Sequence, residues 1–356
     1  MTSDPIQVPA PDLGAAAISA SRRATLSPGC LGEFAALTDA VAALRRSAEL
    51  PVAPSSVQLA VFAGDHGIAA RDVSADLPAA TARRAGELAA GVGATAALAR
   101  QAGVSISVLD LAIDADDEVP GVRSARVRRS SGSIDVEDAL TNGQVAAALQ
   151  AGRDEANRLI DDGGDLLIGA LCGVGAGTSA AAIAAFLTGM EPVDVSGRGT
   201  GVDDDGWIRR AAAVRDARYR LTTGSSDAAT LLRVAGGADL AALTGFALQS
   251  AIRGVPMLLD DIPGAVAAVL AHRFAPGAEI YLLAPALLPD RVHRRLLDLL
   301  GMQPLTALKL GTGIAIPSLL MVPLIRLTAT VTDNAPATMP DDRAVWAIDD
   351  WDPDLL

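Results

Sequence analysis

The chain has 356 residues, half of them hydrophobic and only 3% aromatic, so it can bury a sizeable core made mostly of Ala, Val, Leu and Ile. Its 29 Lys and Arg against 42 Asp and Glu give a formal net charge of −13. That excludes nucleic acid or an anionic membrane as the main partner, because either needs a basic surface, and leaves room only for a local basic pocket that holds one phosphate. The two cysteines, Cys30 and Cys172, allow at most one disulfide, and with three histidines at no short ligand spacing they predict no metal site.

In chain order, residues 1–24 read as a flexible N-terminus; Met1 to Ala10, with Asp4, Pro5 and Pro9, lacks the basic-then-apolar order of a signal peptide, so a cytoplasmic location is expected. Phe34 to Leu50 is Ala-rich and reads as a helix ended by Pro51. Val57 to Ala63 is a short apolar run closed by Gly64, the mark of a buried strand. Thr81 to Ala102 reads as a helix, interrupted in composition by Gly86, Gly91 and Gly93, and Ser105 to Ala112 as a second strand. The basic run Arg123 to Arg129 reads as a solvated hairpin or loop. Glu137 to Asp162 has the polar face of a surface helix, Asp165 to Ile168 forms a third strand, and Ser179 to Leu187 an Ala-rich helix. Pro256 to Leu259 and Glu279 to Ala284 are further strands with an Ala/Val helix between them. The apolar stretch Ile314 to Ile325 is too short to cross a bilayer and holds Pro317 and Pro323. Beyond Val331 the chain turns acidic around Trp346 and Trp351, as a disordered tail or a docking segment would.

Strands that are continuous apolar runs, alternating with helices, predict an α/β fold: a doubly wound parallel sheet, Rossmann-like, covered on both faces. Such sheets bind ligands outside the carboxyl ends of their strands. The first strand is followed by Asp65-His66-Gly67, where an Asp and a His can orient a sugar hydroxyl or take a proton, or simply cap a turn. The third is followed by Cys172-Gly173-Val174-Gly175-Ala176-Gly177-Thr178, a Gly-rich entry to a helix whose backbone N–H groups suit a single phosphate. Thr178 stands where a dinucleotide fingerprint needs its last Gly, and no Gly-Lys-Ser/Thr is present, so neither a dinucleotide site nor a P-loop is expected. Further Gly clusters are Gly197-Arg198-Gly199-Thr200-Gly201, in which Arg198 suits a phosphate or carboxylate, then Gly236-Gly237 and Gly311-Thr312-Gly313. Together they suggest one cleft for a small anionic ligand such as a nucleotide monophosphate.

The order of these motifs resembles that of the nicotinate-nucleotide–dimethylbenzimidazole phosphoribosyltransferase family over about residues 25–330. The carriers are Val61 to Gly67 with Val73-Ser74-Ala75, Asp165 to Ile168, Gly197 to Gly201 with Asp203-Asp204, and Ala235 to Ala242. The resemblance implies a large α/β domain at 51–300 and a smaller helical domain built from both chain ends, 25–50 and 301–330, with the acidic tail at 331–356. It implies a homodimer, no cofactor, and a reaction in cobalamin lower-ligand assembly: an azole nitrogen displaces nicotinate at the anomeric carbon of nicotinate mononucleotide through an oxocarbenium-like transition state. The partners it implies are thus a small-molecule nucleotide and an azole-type base. Substrate-binding residues carried over with it are Ser74, Gly173, Gly175, Thr178, Gly197, Arg198, Gly199, Gly236, Gly237, Asp260, Gly311 and Gly313.

The departures from the family pattern fall on the chemistry. The late loop Lys309-Leu310-Gly311-Thr312-Gly313 puts Thr312 where the family has its general-base Glu, and a hydroxyl is no base near neutral pH. Leu171 replaces an acid, Ala176 an Asn and Gly177 a Thr, while Ala286-Leu287-Leu288 replaces His-Arg-Ser. The family's Asp-Gly becomes Asp260-Asp261, its Lys is absent from Leu26 to Gly32, and its Tyr-Pro reads Asp76-Leu77. Three readings follow. The enzyme is active with a relocated base, one of Asp65, His66, Asp260 and Asp290; or it is a catalytically silent paralogue, a binding protein or heteromer subunit; or it runs a different reaction on the same fold.

Overall fold

The structure, a computed structural model, describes residues 6–23, 26, 29–32, 34–46, 51–77, 79–311 and 313–335. Thr312 and the segment holding Trp346 and Trp351 lie outside the described residues. Two helices open the chain, α1 (Leu13–Arg23) and α2 (Phe34–Leu44). Then come β1 (Val57–Gly64), a short 3-10 turn at Gly67–Arg71, α3 (Ala80–Ala89), α4 (Ala94–Ala102), β2 (Val104–Ala112), β3 (Arg123–Ser124), α5 (Asn142–Asp161) and β4 (Leu166–Cys172). They are followed by α6 (Ala176–Thr188), α7 (Pro192–Val195), α8 (Asp204–Thr222), α9 (Ala228–Leu231), α10 (Ala238–Arg253), β5 (Met257–Leu259), α11 (Asp261–Phe274), β6 (Leu282–Leu283), α12 (Arg291–Asp298) and α13 (Ile316–Asp333).

The sheet order is β3-β2-β1-β4-β5-β6, with every neighbouring pair parallel. The chain winds outward in one direction from β1 to β3 and in the other from β4 to β6, so the switch point lies between β1 and β4. Both faces are covered. Ala60 and Phe62 of β1 join the core beneath α5, α6, α10 and α11, whereas Leu59, Val61 and Ala63 join the core beneath α3, α4 and α13. Each strand residue therefore faces apolar packing whichever way it points, which is why the strands read as unbroken apolar runs.

The closest helix packing rests on small residues. α5 and α10 approach at Gly152 and Gly245, where a Cβ at 152 would overlap the Ala242 carbonyl and one at 245 the Leu149 carbonyl. Beneath them Phe62 and Phe246 stack edge to face, with ring centroids 5.4 Å apart.

Several expectations need correction. The helix expected over 81–102 is two helices, because Gly91 and Gly93 take φ of +74° and +94° and turn the chain between α3 and α4. Within the basic run, Arg123–Ser124 is an edge strand, and the arginines are bound internally: Arg123 to Glu155, Arg126 to Asp110, Arg129 to Asp114 and Asp116. Residues 13–23, placed in a flexible N-terminus, form α1, whose Arg23 pairs with the buried Asp39 of α2. The expected strand over 279–284 is a 3-10 turn followed by the two residues of β6. The helix expected from Glu137 begins at Asn142 behind a capping box made by Thr141 and Gln144. The apolar stretch after Ile314 belongs to the longer α13, which by length and composition alone could cross a bilayer at a mean hydropathy of 1.2; half of it is buried in this structure. α13 packs on α1, α2 and α4, so helices from the two chain ends meet.

We expect Gly152→Ala to destabilise the protein by at least about 1–3 kcal/mol, because the obstacle is backbone and not a movable side chain; urea denaturation against wild type measures it.

Candidate functional site

A cleft of about 890 Å³ opens at the carboxyl ends of the strands, beside the end of β4. Its walls come from the Gly173–Thr178 entry to α6, the Gly197–Gly201 loop, Arg210 of α8, Asp260 and Asp261 after β5, Asp290 before α12, and Gly313 and Ile314 before α13. Ser74, Asp76 and Arg84 close it on the side of α3.

Of the residues singled out in the sequence, Ser74, Gly173, Gly175, Thr178, Gly197, Arg198, Gly199, Asp260 and Gly313 line this cleft. Asp65, His66, Gly236, Gly237 and Gly311 do not, and Thr312 is outside the described residues. Asp65 and His66 point into the interior. The His66 ring is fully buried, with Nε2 3.0 Å from Oδ2 of Asp239, the second residue of α10. Burial opposes a charged imidazole, but the Asp239 carboxylate outweighs it, and His66 titrates above its ordinary value of 6.5. The Asp65 carboxylate is raised by burial, despite accepting bonds from Asp114 N and the Thr81 hydroxyl.

These two residues hold the cleft from behind. Thr81 donates to Asp65 and accepts from Val174 N at 3.0 Å, while His66 N donates to Val174 O at 3.2 Å. The Gly173–Gly175 turn is thereby clamped from both sides. Gly175 and Gly237, with φ of +92° and +83°, lie against the His66 side chain, where a Cβ would collide with it. These glycines serve packing as much as ligand approach.

In front of the clamp, α6 starts directly at the cleft, so the positive end of its dipole lies at the opening, while Ala176 N and Thr178 N donate to the Gly173 and Gly175 carbonyls. Thr178 is 1% exposed and its hydroxyl has no partner in the structure. Arg198 is turned to solvent and bound to Asp204 and Val202 O. The cation of the cleft is instead Arg210, 8% exposed and pressed between Gly177 and Gly199. Among the described residues no carboxylate lies within ion-pair distance of it, and its Nε has no partner. Burial pulls its pKa down, partly offset by Asp261 and Asp290. A desolvated guanidinium without a bound carboxylate is a site for an anion.

Two cleft carboxylates, Asp260 and Asp261, are shifted upward. Asp260 accepts from Ala315 N at 2.7 Å while its other oxygen has no partner, and burial, with the Asp261 charge, pushes its pKa well up despite the Ala315 bond. Asp261 is raised to about 6, mainly by burial. Sequence reasoning missed Arg210 and named Asp261 only as a departure from the family's Asp-Gly. Arg210 had a readable signal: it shares the spacing of Gly206, Ala213, Val214 and Ala217, the buried stripe of α8, so a helix drawn there puts an arginine on the inner face.

Removing one partner of a buried ion pair strands the other charge. Asp239→Asn should therefore cost about 3–5 kcal/mol. Because the folded pKa of His66 is raised, the pair stabilises fully below pH 6.5 and its contribution is lost as pH rises through the folded value. Unfolding by urea at about pH 6 and about pH 8 should show that loss in wild type and not in Asp239→Asn.

A phosphoribosyltransferase family model matches residues 6–339. The chain is 41% identical over 340 residues, 93% of this chain and 94% of the relative, to a nicotinate-nucleotide–dimethylbenzimidazole phosphoribosyltransferase of Mycobacterium bovis (strain BCG / Pasteur 1173P2). It is 42% identical over 318 residues, 89% of this chain and 91% of the relative, to the protein of that name from Mycobacterium avium (strain 104). The crystal structure of CobT from Thermus thermophilus superposes with a TM-score of 0.83 at 31% identity, covering 89% of this chain and 96% of that one.

Proposed function

Because the chain belongs to the nicotinate-nucleotide–dimethylbenzimidazole phosphoribosyltransferase family, we propose that its cleft binds nicotinate mononucleotide and an azole base and transfers the phosphoribosyl group between them. The observation that carries this is the placement of Arg210: an unbound guanidinium, buried at the cleft floor beside the first turn of α6. The 5′-phosphate sits on Arg210 and on the backbone N–H groups of the Gly173–Gly177 and Gly197–Gly201 loops. The Thr178 hydroxyl supplies a further donor.

In the transfer, an azole nitrogen forms a bond to the anomeric carbon as the bond to the nicotinate nitrogen breaks, and that electron pair returns to the pyridine ring. The azole loses a proton. No glutamate occurs in the late loop to receive it, and Asp65 and His66 are turned away and engaged. The proton goes to water or to a carboxylate of the cleft wall, Asp260 or Asp290, and general-base help of that kind typically contributes about 10²–10⁴-fold. Leu171 and the stretch Ala286-Leu287-Leu288 replace the family's polar groups with aliphatic ones.

Those aliphatic replacements favour a second reading, a silent member of the family that binds the nucleotide as a protein in its own right or as subunit of a homodimer or heteromer. Cys30 and Cys172 are both free, which fits the reducing cytoplasm.

Incubation of purified protein with nicotinate mononucleotide and dimethylbenzimidazole, followed by chromatography, should yield the riboside phosphate above a protein-free control. Absence of product with calorimetric binding retained selects the silent reading; absence of both overturns the site. We expect Arg210→Ala to weaken nucleotide binding about 10- to 100-fold, the worth of hydrogen bonds to a charged group. Thr312→Glu should raise the transfer rate by about 10²–10⁴-fold if the late loop still reaches the azole.

A further inference from the structure

The residue after β5 and Asp260 is Asp261, and three observations set it apart. Its backbone sits at φ +58°, a left-handed conformation that most side chains avoid, that Asp and Asn adopt more readily than others, and that suits the glycine found in the resembled family's Asp-Gly pattern. Its Oδ1 accepts from the next amide, Ile262 N, at 2.6 Å, which holds the carboxylate on the first turn of α11 and on the cleft wall. It also acts electrostatically on Arg210 without reaching ion-pair distance, so the guanidinium is attracted by the carboxylate and still open.

We propose that Asp261 is a specificity-determining residue of this cleft, a built-in competitor for Arg210, so that an anion settles on Arg210 with uptake of one proton at Asp261. This rests on the reading of Arg210 as the anion's partner. A dianionic phosphate beside an ionised Asp261 in a desolvated cleft meets strong repulsion, and the least costly relief is to neutralise the carboxylate. Burial has already moved Asp261 to about 6, so it is ionised in the free protein near neutral pH yet close enough to protonate when a second negative charge arrives.

The charges facing it fit that role. Asp290, ahead of α12, adds negative charge, and Arg210 on α8 supplies the attraction. Asp260 is itself raised well above the usual carboxylate range, by burial and by the Asp261 charge. On α12, His293 is lowered to about 4 by burial, and its Nδ1 accepts from Leu288 N, so it brings no charge. On α10, Asp239 is engaged by His66 and Arg253 by Asp161. Helices α6 and α9, which also pack on α11, carry no ionisable side chain. Arg84 and Arg198 are bound to Asp76 and Asp204. Asp261 is thus the group whose protonation the anion controls. The consequence is selection by charge: a monoanion enters at neutral pH more easily than a dianion of the same shape.

Calorimetry with sulfate, whose charge is constant, and with nicotinate mononucleotide tests this from about pH 5.5 to about pH 8, in two buffers of different ionisation enthalpy. Wild type should lose affinity for sulfate by up to about tenfold per pH unit above pH 6 and take up close to one proton per ion bound. In Asp261→Asn, whose side chain tolerates the left-handed backbone, sulfate should bind at least about tenfold tighter near pH 7.5 with no proton uptake. Asp261→Gly should behave alike, which guards against a folding defect in one variant. Parallel pH profiles in wild type and both variants would overturn the inference while leaving the anion site intact. If sulfate and nucleotide bind none of the three proteins at any pH, the anion site itself is wrong and this inference falls with it.

Discussion

The site is organised by an interaction that never meets a ligand, the buried contact between His66 and Asp239. It joins the end of β1 to the start of α10 across the switch point of the sheet. A pair of this kind is costly to desolvate, and its return lies in geometry more than in net stability. Around it Asp65, Thr81 and Val174 form a chain of hydrogen bonds that fixes the turn from β4 into α6. Gly175 and Gly237 are shaped to the imidazole, so the backbone can pass on either side of it. Without that clamp, the amides of α6 and the Arg210 guanidinium would have no common focus.

Much of the fold was readable from the chain. A central parallel strand is apolar on both faces, so Val57–Gly64 and Leu166–Cys172 announce themselves by composition alone. The edges were less readable: β3 and β6 are two residues long and owe their state to a neighbour's register, so the chain reads as a loop at β3 and as a longer strand at β6. Helix α8 was missed because acidic and basic residues dominate it, and its apolar side is made of Gly, Ala and Val. The candidate site shows the same limit. Asp65 and His66 look like exposed chemistry after a strand, and only the fold reveals that the partner of His66 stands 173 positions further along. The Gly loops on the cleft were legible because helix entries after strands are where ligands gather in such sheets; Arg210 was legible only as a cation on the inner stripe of α8, and its burial without a carboxylate partner is a tertiary fact.

The charge balance of the cleft differs from that of the whole protein in kind. A net charge of −13 repels anions in general, yet one desolvated guanidinium surrounded by carboxylates makes a short-range exception. The altered positions change what surrounds that cation more than they change the frame that carries it: packing glycines and the Asp65–His66 support persist, whereas Leu171 and Asp261 alter polarity at the wall itself. Frame and chemistry are held by different residues and so are free to diverge at different rates.

The meeting of α1 and α2 with α13 has a consequence for how the molecule is made. α1 and α2 lie ahead of the whole sheet in the chain and α13 lies behind it, so their contact forms only once both segments are present. Bringing together segments so far apart carries a loop-closure cost that local helix pairs do not, and contacts of this kind slow folding.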